Sequence, residues 1–147
     1  MTSVLIAGVG GQGSIFAARV LGAAALNCGL NVRGSETIGM AQRGGSVVSH
    51  VRMSDREIAS PLIPPGSADV LVALEPTEGE RSRHFLREGG TFICCTAEQK
   101  AEIISQCGAK SLNAAVLGMA AAMGPSPSDW TLWKPLCKTL ESRSSLS

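Results

Sequence analysis

The stretch "VLIAGVGGQGSIFAARVLGAAAL", Val4 to Leu26, decides how this chain is read. Val4 to Ala7 is a short, continuous apolar run, the pattern of a strand buried on both faces of a parallel sheet. The turn Gly8-Val9-Gly10-Gly11-Gln12-Gly13 follows, and then a helix from about Ser14 to Cys28, apolar nearly all round, with Gly29 placed to cap it. A helix with so little polar surface is covered on more than one side, by its sheet and by a partner.

Outward from this unit the strand and helix patterns alternate. Asn31 to Thr37 reads as a second strand. Ser46 to Met53 alternates, with Val47, Ser49, Val51 and Met53 on one face and Val48, His50 and Arg52 on the other, which is strand periodicity. Ser60-Pro61-Leu62-Ile63-Pro64-Pro65-Gly66 is extended or turned, because each proline restricts itself and its predecessor. Asp69 to Leu74 is another buried strand. Pro76 suits the first position of a helix, and the charged run after it predicts a helix through Glu88, stopped by Gly89-Gly90. Thr91 to Cys95 reads as a strand, and Ala97–Gln106, Leu112–Met123 and Asp129–Glu141 read as helices, the last delayed by Pro135. The sum is an α/β domain of three layers, α/β/α, with a mostly parallel sheet. The alternating strand at 46–53, so close after its predecessor, hints at a hairpin and hence a mixed sheet. One domain over residues 1–141 and a frayed tail at 142–147 fit the length of 147 residues.

The bulk properties exclude several classes. The net charge is +1, so nothing argues for nucleic acid or an anionic membrane surface as a partner. Aromatic residues make up 3% and tyrosine is absent, which leaves no platform for stacking bases. The first apolar helix carries Arg19 and is too short to span a bilayer. With no basic segment or small-residue cleavage site before Val4, the expectation is a cytoplasmic protein. The five cysteines, Cys28, Cys94, Cys95, Cys107 and Cys137, include no C-x-x-C pair, so neither a zinc site nor an iron–sulfur cluster is expected on this chain. They read as small buried hydrophobes in a reducing compartment.

Gly8, Gly10 and Gly13 form the G-x-G-x-x-G spacing of a Rossmann-like opening, between a strand and a helix as that fingerprint requires. Glycines let the backbone turn tightly, and the helix N-terminus offers free N–H groups to an anion. The acidic residue that would hold a ribose belongs about 20 positions on, and Glu36 stands near there. Against a complete dehydrogenase, no length remains for a substrate domain, and the absence of tyrosine removes the Tyr–Lys acid/base pair. His50 lies on the alternating strand and His84 in the charged run, and both read as structural or surface residues.

A second unusual stretch, "SETIGMAQRGGSVVSHVRMS", runs from Ser35 to Ser54. Its core, Gly39-Met40-Ala41-Gln42-Arg43-Gly44-Gly45, combines glycines that can gather N–H groups with an arginine able to grip a phosphate or carboxylate. Met40 and Arg43 equally suit a protein–protein contact, where both residue types are enriched. The residues alone leave ligand contact, subunit contact and ordinary loop open.

In order along the chain, G-x-G-G-Q-G at Gly8–Gly13, E-T-x-G-M-A-Q-R-G-G-S-V-x-S-H-V-R from Glu36, S-P-L-I-P-x-G-x-A-D from Ser60, and E-P at Glu75-Pro76 closely resemble the gamma-type subunit of 2-oxoacid:ferredoxin oxidoreductases. Among these the pattern looks most like the beta subunit of indolepyruvate:ferredoxin oxidoreductase. The resemblance covers roughly Val4 to Gly90, and Asn113-x-x-x-Leu117-Gly118 adds a later motif. It implies a non-catalytic subunit of a complex that oxidises a 2-oxoacid with coenzyme A to acyl-CoA and carbon dioxide, passing two electrons to ferredoxin. Thiamine diphosphate and iron–sulfur clusters would sit on partner subunits, and this chain would pack against them through its first helix and the G-M-A-Q-R-G-G loop.

Carried over by position, the candidate binding residues are Gly8, Gly10, Gly11, Gln12 and Gly13, with Glu36, Gly39, Gln42, Arg43, Gly44 and Gly45. Contact of these two loops with coenzyme A is the expectation; no catalytic residue and no metal ligand is assigned. Departures are also visible. Ile38 stands where relatives commonly carry histidine, Cys94-Cys95-Thr96 replaces an asparagine-containing strand end, and the interval from Cys95 to Asn113 is shorter than in typical relatives. Two rival readings remain: a Rossmann-type enzyme or sensor that binds NAD, NADP or FAD, and a solitary interaction domain, homodimeric in isolation. The oxoacid and the stoichiometry of a complex are not encoded here.

Overall fold

The computed structural model describes residues 1–10, 13–39 and 45–94, with Glu98, Ala101 and Ser105 beyond them. Among the described residues a five-stranded sheet is built from β1 (Thr2–Val9), β2 (Asn31–Ile38), β3 (Ser46–Ser54), β4 (Ala68–Ala73) and β5 (Leu86–Cys94), in the order β2-β3-β1-β4-β5. Helix α1 (Ser14–Asn27) follows β1, and α2 (Pro76–Ser82) follows β4 and runs into a single 3₁₀ turn, Arg83–Phe85.

The sheet is mixed, the form at which the alternating pattern of β3 hints. β1 runs parallel to β4, and β4 to β5, while β3 is antiparallel to both β1 and β2. The cause is local: β2 and β3 are joined by only a short loop, which permits a hairpin and not a crossover.

β1 and β4 are the apolar runs of the sequence, and Val4, Leu5, Ile6, Ala7, Val70, Leu71, Val72 and Ala73 are all fully buried. Alternation divides them between two cores. Val4, Ile6, Val51, Met53, Val70 and Val72 pack under α1 through Ala17, Leu21, Ala24 and Ala25. On the opposite face Leu5, Ala7 and Leu71 meet Ile63, Phe85 and Phe92. α2 lies on this second face, since a Cβ on Gly79 would collide with the Ala73 Cβ and stand 3.2 Å from the Phe92 ring. The three layers are therefore α1, the sheet, and α2 with the segment before β4.

α1 ends as its sequence suggests. Gly29, at φ 79°, donates its N–H to the Leu26 carbonyl, and the Leu30 N–H reaches back to the Ala25 carbonyl. These are the two bonds of a Schellman motif.

The helix expected from Pro76 to Glu88 is corrected: it stops at Ser82, and β5 begins at Leu86. Pairing with β4 overrides the helical pattern. Leu86 pairs with Ala68 and Thr91 with Val70, so four residues, including Gly89 at φ 72°, bulge opposite Asp69. Asp69 fixes that bulge, accepting from Arg87 Nε at 2.8 Å and from the Ser3 N–H at 2.8 Å. The glycine pair shapes a strand irregularity where a helix stop was expected. Of the helix expected at Ala97–Gln106, Glu98, Ala101 and Ser105 are helical. The expectations for Leu112–Met123, Asp129–Glu141 and the tail lie outside the described residues.

Candidate functional site

β1 and β4 are neighbours and parallel, yet the chain leaves them toward opposite faces, to α1 and to α2. Such a reversal opens a crevice at the carboxyl ends of the two strands, where open α/β sheets bind ligands. The first glycine turn starts there. The Leu74 N–H extends the β1–β4 pairing by bonding to the Ala7 carbonyl at 2.8 Å, and the chain then turns through Glu75 into α2.

The hairpin brings the second glycine loop to the same end. Val9 pairs with Ser46, the Gly10 N–H donates to the Gly45 carbonyl at 2.9 Å, and the Gly39 N–H donates to the Ser46 carbonyl at 2.7 Å. Gly8, Gly10, Gly13, Gly39 and Gly45 are thus gathered at one end of the sheet. At Gly39 a Cβ would come within 3.2 Å of the Ser46 carbonyl oxygen, so the close approach of the hairpin arms there favours glycine. Gly13, at φ 82° in the left-handed region, opens α1 with no side-chain cap and no acidic residue in the first turn. The helix therefore presents its N-terminal N–H groups without a charge of its own to satisfy them. Gly11, Gln12, Gln42, Arg43 and Gly44 of the expected set lie outside the described residues.

Glu36 is separated from this cluster. It lies on β2 opposite Ser49, which is in turn opposite Ile6 of β1. Two strand spacings, roughly 9–10 Å, divide its backbone from β1. A dinucleotide fold needs its ribose-holding acid on a strand beside β1, and β3 occupies that place.

Two open troughs flank α1. One of about 370 Å³ is bounded by Gly10, Gly13, Ser14, Phe16, Arg19 and Val47. The other, of about 580 Å³, continues from Arg19 along the helix over β2. Arg19, on the exposed side of α1, is the residue shared by both linings.

Reasoning from the sequence missed the pairing of His50 and Arg52 with the proline segment. Both point to the second face of the sheet. His50 Nδ1 accepts the Ile63 N–H at 3.2 Å, and its ring meets Phe85 edge-on with centroids 5.6 Å apart. Arg52 donates through one terminal nitrogen to the Ser60 carbonyl at 3.0 Å and the Leu62 carbonyl at 3.1 Å. Among the described residues the segment 60–63 has no strand partner, so these side chains supply what a ladder would. Burial holds the His50 imidazole below its ordinary pKa of 6.5, in the neutral form that can accept the amide. The signal was present: two long polar residues on one face of an otherwise apolar strand. His84 is exposed on the 3₁₀ turn, its Nδ1 2.9 Å from the Arg81 carbonyl oxygen. Among the described residues, neither histidine is bonded to a glycine of the two loops.

Among the described residues no group of three or more His, Cys, Asp or Glu is placed to hold a metal ion. No helix among them is long and apolar enough to cross a membrane.

Comparison with known proteins matches residues 3–144 to the family described as Pyruvate ferredoxin/flavodoxin oxidoreductase. The indolepyruvate oxidoreductase subunit IorB of Archaeoglobus fulgidus is 48% identical over 94 residues, 64% of this chain and 46% of that protein. The 2-oxoglutarate synthase subunit KorC of Methanothermobacter marburgensis is 41% identical over 91 residues, 61% of this chain and 48% of that protein. The matched region thus spans about half the length of these relatives. A solved keto/oxoacid ferredoxin oxidoreductase gamma subunit from Geobacter sulfurreducens shares the fold at a TM-score of 0.68 and 21% identity, covering 96% of this chain and 97% of that one. A 2-oxoglutarate:ferredoxin oxidoreductase from Magnetococcus marinus does so at 0.72 and 19%, covering 97% of this chain and 27% of that one. With the motifs in sequence order and the fold in common, the chain belongs to the pyruvate ferredoxin/flavodoxin oxidoreductase family.

Proposed function

We propose that this chain is the non-catalytic, gamma-type subunit of a cytoplasmic 2-oxoacid:ferredoxin oxidoreductase of the indolepyruvate kind. The observation that carries the reading is the 48% identity to a subunit named for indolepyruvate oxidoreductase. The complex would convert a 2-oxoacid and coenzyme A to acyl-CoA and carbon dioxide, with two electrons leaving through ferredoxin. Thiamine diphosphate and the iron–sulfur clusters would be held by partner subunits, and no step of that chemistry is assigned to residues of this chain.

Its own contribution would be to receive the coenzyme. The two glycine loops, Gly8–Gly13 and Gly39–Gly45, share one end of the sheet through the Gly10–Gly45 hydrogen bond. An uncapped helix N-terminus beside them suits a phosphate, and Arg43 would add a bidentate grip. A titration of the purified chain with coenzyme A, NAD, NADP and FAD by calorimetry tests this. Coenzyme A should bind, and binding should be lost in Arg43→Ala. Micromolar binding of NAD, NADP or FAD, about −8 kcal/mol, abolished by Glu36→Ala, would replace the subunit reading with a dinucleotide-binding one.

A further inference from the structure

α1 has a stripe that the other described residues do not cover. Phe16, Arg19, Ala23 and Leu26 follow one another at helical spacing and are all exposed. Phe16 is 49% exposed and Leu26 60%, the latter at the rim of the larger trough. Across that trough stands β2, at the edge of the described sheet, which contributes Val32, Gly34 and Glu36. Arg19 is the single charged residue of α1. Neither Arg19 nor Glu36 makes an ion pair with any described residue. Among the described residues, then, the apolar floor is bounded by an unpaired cation on one wall and an unpaired anion on the other.

We propose that this trough is a self-pairing face, in which a second copy of the chain lays its α1 against it about a two-fold axis. Arg19 of each copy then meets Glu36 of the other. A two-fold axis makes an interface of one patch against itself, so the patch must be its own complement. One positive and one negative wall meet that condition, because the axis exchanges them and forms the ion pair twice. An anionic surface or ligand would leave Glu36 opposed to like charge, and a purely apolar partner would leave both charges uncompensated. Ala23, small and exposed, lets the second helix come close, and the exposed Phe16 and Leu26 supply the apolar area that rewards it. Only the chain itself takes part, so the pairing is independent of the coenzyme reading; it gives to a second copy the side of α1 that the sequence assigns to partner subunits.

Sedimentation equilibrium of the purified chain, of Arg19→Glu, of Glu36→Arg, and of an equimolar mixture of the two variants tests it. Both residues are exposed, and far-UV circular dichroism checks that the variants fold. The unaltered chain should be a dimer. Each variant alone places like charges together twice, and its dimer should weaken by roughly tenfold or more. The mixture should recover dimer, because both contacts of a mixed pair again join opposite charges. The carboxylate introduced at position 19 of one copy faces the guanidinium introduced at position 36 of the other. At the second contact the retained Arg19 and Glu36 meet as they do in the parent. A monomeric parent chain, variants as dimeric as the parent, or a mixture no tighter than its components would each overturn the proposal.

Discussion

His50 links the chain's stability to pH. Its pKa is lowered from 6.5 by burial, so between the lowered value and 6.5 the unfolded chain binds more protons than the folded one. Stability is therefore full above 6.5 and is lost as pH falls through that window. Protonation also removes the Nδ1 lone pair that accepts the Ile63 N–H. Urea unfolding across this range should show the slope, and His50→Gln, which keeps an acceptor but does not titrate, should flatten it. Two strand positions away, Arg52→Ala removes two bonds to the carbonyls of Ser60 and Leu62. The expected cost is about 1–3 kcal/mol, with faster proteolytic cleavage in the Ser60–Leu62 segment. Ser49 gives the opposite case. Its hydroxyl is buried without a hydrogen-bond partner among the described residues, so Ser49→Ala should leave the urea midpoint unchanged or raise it, by up to about 1 kcal/mol of stability. None of these roles follows from residue type alone, because each depends on a partner distant in sequence that only the folded sheet supplies.

Elements are legible where local chemistry agrees with the tertiary fold. β1, α1 and β4 carry apolar runs or a capped helix, and their patterns name one structure each. Gly29 closes α1 through its positive φ, as expected of a glycine just past a helix. The charged run after Pro76 misleads because its spacing suits a helix, with Glu78, Ser82, Phe85 and Leu86 on one side. What decides it is the pairing of Leu86 with Ala68 and the hold of Asp69 on Arg87, neither visible from residues 76–90 alone. Within α2, Gly79 is fixed by packing and not by conformation. A methyl group there would collide with the Ala73 Cβ, so Gly79→Ala should destabilise the chain by about 1–3 kcal/mol, read from the shift in thermal midpoint.

At the scale of the molecule, the strand order does what no motif could. The glycine fingerprint is present, but β3 stands between β1 and β2, so Glu36 cannot take the place beside β1 that a dinucleotide's ribose requires. The same hairpin carries the second glycine loop to the end of the first, so a pair of motifs more than twenty residues apart becomes one cluster. That juxtaposition is not readable from the sequence, where the two loops stand as separate candidates. What the sequence does carry is the succession of motifs from Gly8 to Pro76, which marks the family without the fold. That the chain serves a 2-oxoacid oxidoreductase as a subunit can be tested directly. The measurement is 2-oxoacid- and coenzyme A-dependent dye reduction by the thiamine-diphosphate-binding subunit of the same organism, assayed with and without this chain. The two proteins should co-elute, and turnover should require both. A partner equally active without this chain, and no complex between them on a sizing column, would contradict it.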